Sequence, residues 1–251
     1  MASDKPASVL RETDEQARRL ARILLRSAPY AAMAVIDPER GFPVASRVLV
    51  GTDVDGVPVI LVSALSAHTK ALAGDPRASL LAGEPGKGDP LAHPRLSVEC
   101  IAEAVSHDTA AHVRIRGRFL ARHAKAKLYV DFADFQFFRL QPQAANLNGG
   151  FGKAFRLTGE DLVIRSDLTP FIADRSESLV QDLLGTYPLL PARLAGEEKT
   201  GTTSKWRIYA MDAAGFDLIS GNRLLRHEFQ EPLNNPKDIG LLIAKIANPV
   251  P

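Results

Sequence analysis

The sequence predicts a mainly β protein with α+β elements: a small closed barrel first, and a small α+β unit behind it. Three observations predict it. Short apolar runs separated by Pro- and Gly-bearing turns fill most of residues 30–165. The helical periodicities among them are few and peripheral, and the texture changes near residue 165. Many strands with few helices favour a barrel over repeated βαβ units.

Taken in order, Thr13 to Gln16 reads as a capping box, a hydroxyl and an amide satisfying the free N–H groups of a helix start. Ala17, Leu20, Ala21, Leu24 and Ala28 then recur at helical spacing until Pro29 stops the helix. Residues 31–36, 44–50 and 57–63 read as strands. The turns between them, Asp37 to Gly41 and Asp53 to Gly56, carry Pro and Gly chemistry, so an antiparallel meander is expected. A short helix over 68–73 ends at Asp75-Pro76. Strands follow at 78–82 and 95–105, around a loop at 83–94. Helical periodicity over 108–132 breaks near Arg122-His123, and strands return at 135–140 and 154–157.

The second unit is expected to begin after a linker, 165–175, that contains Pro170. A helix starts at 176–184. Strands at 205–210, 216–220 and 224–229 follow, the last two joined by Gly221-Asn222 as a two-residue hairpin turn. Pro236 opens a closing helix, 239–247. The expected division is therefore a barrel over 1–164, the linker, and a small α+β domain over 176–251.

Composition removes several classes of function. The 31 Lys+Arg nearly balance 29 Asp+Glu, and a net charge of +2 gives no bulk attraction to nucleic acid or an acidic membrane. The longest early apolar run, 31–36, is far too short to span a bilayer. Residues 1–13 are polar and lack an apolar signal-peptide core, so cytoplasmic residence is expected. The single cysteine, Cys100, permits no internal disulfide, and its alternating surroundings predict a buried structural thiol.

Neither nucleotide-binding glycine fingerprint is present, nor a Gly-x-Ser-x-Gly nucleophile elbow. The six histidines never pair at i, i+4, and His107 and His112, five apart, are expected to diverge, so no metal site is expected. What remains is a phosphate-binding set. Ser46 and Arg47 lie on the second strand, Ser63 ends the third, and Ser66, His68, Thr69 and Lys70 begin the next helix. A helix start offers free N–H groups and partial positive charge, Arg47 and Lys70 add full charge, and the hydroxyls add donors. Equally, Ser66 alone caps the helix while Arg47 and Lys70 are solvated.

Several segments carry a resemblance. Ala45-Ser46-Arg47-Val48-Leu49-Val50, Asp55-Gly56, residues 59–63, Ala67-His68-Thr69-Lys70-Ala71-Leu72 and Asp75-Pro76-Arg77-Ala78-Ser79-Leu80-Leu81 resemble the pyridoxamine-phosphate-oxidase-like split barrels. The similarity is closer to their heme-utilisation branch, through Asp89-Pro90-Leu91, Pro94-Arg95-Leu96, Asp131-Phe132-Ala133-Asp134-Phe135, Arg139-Leu140 and Asn148-Gly149-Gly150-Phe151-Gly152-Lys153-Ala154. The tail, with Trp206-Arg207, Asp212, Gly215-Phe216-Asp217 and Phe229, is similar to the small domain of unknown function fused behind those barrels.

The resemblance implies a split β-barrel of FMN-binding type and a homodimer with FMN at the interface. Arg47, Ser63, Thr69 and Lys70 match the positions that hold the flavin phosphate, with Ser46 alongside. Residues 149–153 match a glycine-bearing strand near the ligand, where Gly150 and Gly152 permit close backbone approach; a turn or bulge in the barrel wall is the alternative. Four departures stand out. Thr52 replaces a frequent second lysine, and no Arg-x-His follows Gly152. The helix 178–184 lacks the tail domain's histidines, and Ala145-Asn146-Leu147 lacks the branch's histidine before the glycines.

Three readings follow. A flavin-dependent oxidoreductase retains FMN, its isoalloxazine doing the redox chemistry. A non-catalytic split-barrel protein has lost tight cofactor binding. A heme-binding or heme-degrading protein uses His68 or another histidine as its ligand.

Overall fold

The computed structural model describes residues 10–150, 152–197 and 205–247. Phe151 of the glycine segment and most of the polar stretch 1–13 lie outside the described residues.

The first sheet uses β1 (Leu10–Arg11), β2 (Tyr30–Ile36), β3 (Pro43–Thr52), β4 (Pro58–Ser63), β5 (Arg77–Ala82), β6 (Arg95–Ala104), β7 (Phe135–Asn148) and β8 (Ala154–Thr158). Its order is β1-β8-β7-β4-β3-β2-β5-β6, and β6 also pairs with β7. That last pairing closes β7, β4, β3, β2, β5 and β6 into a barrel, with β8 and β1 extending from β7. The expected closed barrel is therefore present. Alternation follows from the period of a strand: Val48 and Val50 point into the core, while Arg47 and Leu49 point out. Met33, Val50, Ile60, Leu80, Leu96, Val98, Leu140 and Leu147 fill the interior.

Three helices accompany the barrel: α1 (Glu15–Ser27), α2 (Ala67–Gly74) and α3 (Ala110–Arg122). Ala17, Ala21 and Leu25 of α1 join the barrel core. Ile115 and Phe119 of α3 cover Val59, Leu61 and Phe137 on the other face of β4 and β7. Behind them stand α4 (Thr169–Thr186), α5 (Leu190–Leu194), a three-stranded antiparallel sheet of β9 (Arg207–Asp212), β10 (Gly215–Ser220) and β11 (Arg223–Glu228), and α6 (Pro236–Ala247). Gly221, at φ 59, opens the expected hairpin turn between Ser220 and Arg223.

Several local expectations change. The cap of α1 is Asp14, whose carboxylate accepts the Ala17 N–H at 2.8 Å. Thr13 donates its hydroxyl to the Arg156 carbonyl instead. The strand expected to end at Leu140 runs on to Asn148. Residues 169–175, expected in the linker, form the first turns of α4, where Pro170 sits in the opening turn and needs no N–H partner.

Candidate functional site

The first half of β3, the end of β4 and the start of α2 meet at one rim of the barrel. Ser46 points inward along β3, and its Oγ lies 3.2 Å from His68 Nδ1. His68 Nε2 is buried and has no hydrogen-bond partner among the described residues. Burial holds the His68 imidazole below its ordinary pKa, which favours the neutral ring. Nδ1 either donates to or accepts from Ser46, and this choice sets whether Nε2 offers a lone pair or a proton.

Ser63 and Thr69 are also together, but their protons are spent. Ser63 Oγ donates to Asp134 Oδ2 at 2.5 Å and accepts the Leu65 N–H at 3.1 Å. Thr69 Oγ1 donates to the Ser63 carbonyl at 2.7 Å. Ser66 stands at the helix cap without a side-chain capping bond, so the simple capping explanation of this serine is not what the structure contains.

Arg47 is separated from Ser46 by the pleat. Its guanidinium lies over the Tyr30 ring, 4.8 Å from the centroid, on the outer face of the sheet. A hydrogen bond with Glu84, then that residue's charge, raises the Tyr30 phenol pKa. Register places Arg47, Ala32, Leu81, Ser97 and Asn146 in one row across the outer face of β3, β2, β5, β6 and β7. Beside that row a cleft of about 390 Å³ opens between Ala34, Ile36, Pro43, Ser79 and Glu99. Lys70 is exposed on α2.

Gly150 and Gly152 lie in the turn between β7 and β8, at φ 104 and 69. A Cβ on Gly150 would stand 3.1 Å from the Ala92 carbonyl, whereas one on Gly152 would meet nothing. The close approach at Gly150 is thus to the chain's own loop. Thr52, at the position of the missing lysine, is buried, and its carbonyl accepts from Arg118. A lysine ammonium there would have to be desolvated.

The remaining histidines divide by what their rings already do. His93 Nε2 pairs with the Lys87 carbonyl and His123 Nε2 with that of Val50. His107 and His112 do not diverge: their ring centroids are 4.8 Å apart. His107 precedes α3, and Asp108, at φ 61, turns the chain so that His107 folds back over the first helical turn. His227 lines a cleft of about 790 Å³ with Arg19, Phe229 and Leu233. Cys100 is buried, and its thiol is pushed up to about 12 by that burial, then by Glu99. Asp134 and Tyr30 were not singled out from the sequence. Asp134 appeared only inside a resembling motif, and nothing local marks its bond to a serine 71 residues away.

Comparison with known proteins adds context. The chloroplast heme oxygenase HOZ of Arabidopsis thaliana is 36% identical over 120 residues, which are 48% of this chain and 36% of that protein. The chain thus spans about a third of that relative's length. The crystal structure of Agrobacterium tumefaciens Atu2129, a protein of unknown function, superposes with a TM-score of 0.78 at 28% identity, covering 96% of this chain and 99% of that one. A heme-binding protein from Mycobacterium smegmatis superposes with a TM-score of 0.54 at 26% identity, covering 95% of this chain and 98% of that one. Residues 12–162, which hold the whole closed barrel with α1 to α3, match the family model described as the CREG beta-barrel, and the chain is a member of that family.

Proposed function

We propose that this protein binds heme, with His68 as the residue that meets the iron. The observation that carries the reading is the state of that ring: one nitrogen is held by Ser46, and the other is buried and unpartnered. A ligating histidine usually spends its second nitrogen on a hydrogen bond that fixes tautomer and orientation, and a neutral ring is the ligating form. His93 and His123 have already committed Nε2 to carbonyls. The HOZ relative and the mycobacterial heme-binding protein support the same reading. When bound, heme supplies one-electron and dioxygen chemistry. The chain's own contribution is to hold the ring, keep it neutral and shield it from water. Because Nε2 lies beneath the surface, hemin has to part the seam between α2 and β3, and association is expected to be slow.

Hemin titration of the purified protein tests this. A saturable Soret band is expected, reduced at least tenfold in affinity in His68→Ala and unchanged in His227→Ala. Loss in His227→Ala alone would move the site to the larger cleft, and no Soret band at all would end the heme reading. Reductant and oxygen added to the complex then ask whether the bound heme is degraded.

A second reading, FMN binding, is favoured by one observation: Lys70, exposed on α2, has no carboxylate partner among the described residues, and neither has Arg47, whose guanidinium lies over Tyr30. A homodimer closing the outer face of the sheet belongs with either reading. Absorption of dialysed protein with and without added FMN separates the flavin reading from the heme one.

A further inference from the structure

We propose that Asp134 is a selectivity residue that sets the α2 rim against ligands carrying a phosphate. The sequence offers that rim as a phosphate site because hydroxyls, cations and a helix start converge there. The structure shows what already occupies the convergence. Asp134 Oδ2 takes the Ser63 proton at 2.5 Å, and the Asp134 carbonyl accepts the Ala64 N–H at 2.6 Å, so the carboxylate is fixed beside the turn that leads into α2. The first turn of α2 has no acidic residue of its own. A helix start lacking an internal anion attracts an external one, and the Ser63–Asp134 bond puts a carboxylate on the turn that leads into that start, where Ser63 Oγ also accepts the Leu65 N–H.

The donors a phosphate would need are accordingly reduced. Ser63 donates to Asp134, Thr69 donates to the Ser63 carbonyl, and Ser46 is shared with His68. Arg47 leans over Tyr30 on the other face of β3. Asp134 itself has no cationic partner among the described residues, so its charge is not cancelled by an ion pair. A dianionic phosphate arriving here would meet like charge at short range, where screening by water and salt is least effective. An uncharged flat ring meets no such opposition.

The inference goes beyond the heme reading and does not depend on it. Its test compares FMN with riboflavin, which differ only in the phosphate. The unmodified protein is expected to bind riboflavin at least as tightly as FMN. In Asp134→Asn, whose amide oxygen still accepts from Ser63, FMN is expected to tighten at least tenfold and riboflavin to change little. Tighter binding of FMN than riboflavin by more than tenfold in the unmodified protein would overturn the proposal, even if the variant fails to fold. So would equal FMN affinities in the two proteins, or FMN binding too weak to measure in both. Hemin affinity, measured in parallel, reports separately on His68: its failure leaves the Asp134 comparison standing.

Discussion

His123 shows how a single side chain can couple this fold to pH. Its ring packs against Phe119, and its Nε2 lies 2.8 Å from the Val50 carbonyl, between the end of α3 and the barrel wall. Burial holds its pKa down to about 4. A histidine depressed in the folded state contributes its full share of stability above its unfolded pKa, near 6.5. That share is lost as pH falls from there through the folded value. The gap corresponds to about 3 kcal/mol. His123→Gln keeps a donor without the titration, so denaturant midpoints from pH 7 to pH 4 should fall less steeply in the variant. His68, His112 and His227, lowered mainly by burial, titrate in both proteins and cancel in the comparison. Parallel slopes would show that His123 does not carry the effect. The site was only partly legible at this scale. Ser46, Ser63, His68 and Thr69 were found because they cluster in short segments. The direction of Arg47 depends on the pleat, and the role of Asp134 on a contact between distant segments.

The elements themselves were more legible, because periodicity reports local burial. The three-strand meander, the break at His123 and the closing hairpin all follow from residues close in sequence. The sequence predicts strand β7 only to Leu140, after which Gln141-Pro142-Gln143 interrupts the apolar alternation. The strand continues because Pro142 sits where the register with β6 shifts, Cys100 facing Pro142 and Glu99 facing Ala144. Such an irregularity tolerates a residue without an N–H. The same point fixes Gly159, just after β8: a Cβ there would collide with the Pro142 carbonyl. Because the obstacle is backbone, Gly159→Ala should cost roughly 1–3 kcal/mol, toward the upper end. Gly152→Ala faces open space and pays only for its φ of 69, about 1–2 kcal/mol. Chemical denaturation of the two variants orders them; equal losses would mean that the β7 irregularity yields easily.

Across the whole molecule, the barrel and the C-terminal sheet are joined through buried charge. Arg26 of α1 reaches Asp212 at 2.8 Å and Asp217 at 3.3 Å. Arg226 pairs with Asp212 at 2.8 Å, and Arg22 with Glu228 at 2.5 Å. Arg118 and Arg122 of α3 add bonds to the Met211 carbonyl and the Tyr209 hydroxyl. Burial alone would raise the Asp212 pKa, but Arg226 and then Arg26 outweigh it and hold the carboxyl well below the usual carboxylate range. No linear pattern announces such a network, since its members come from opposite ends of the chain. Its consequence is mutual dependence: Arg26 of α1 is buried with both of its carboxylates, Asp212 and Asp217, supplied by the C-terminal sheet. Removing one partner of a buried pair costs roughly 3–5 kcal/mol, because the other charge stays desolvated. Asp212→Asn should therefore destabilise by that amount and do so for both parts at once. Trp206, the single tryptophan, reports on the C-terminal part, while far-UV circular dichroism reports on the helices and strands of both parts. In denaturant the two signals should give one coincident transition in the unmodified protein, displaced together in the variant. If the Trp206 transition moved and the far-UV signal split into two steps, the charges would stabilise only the C-terminal sheet, and the two parts would fold independently.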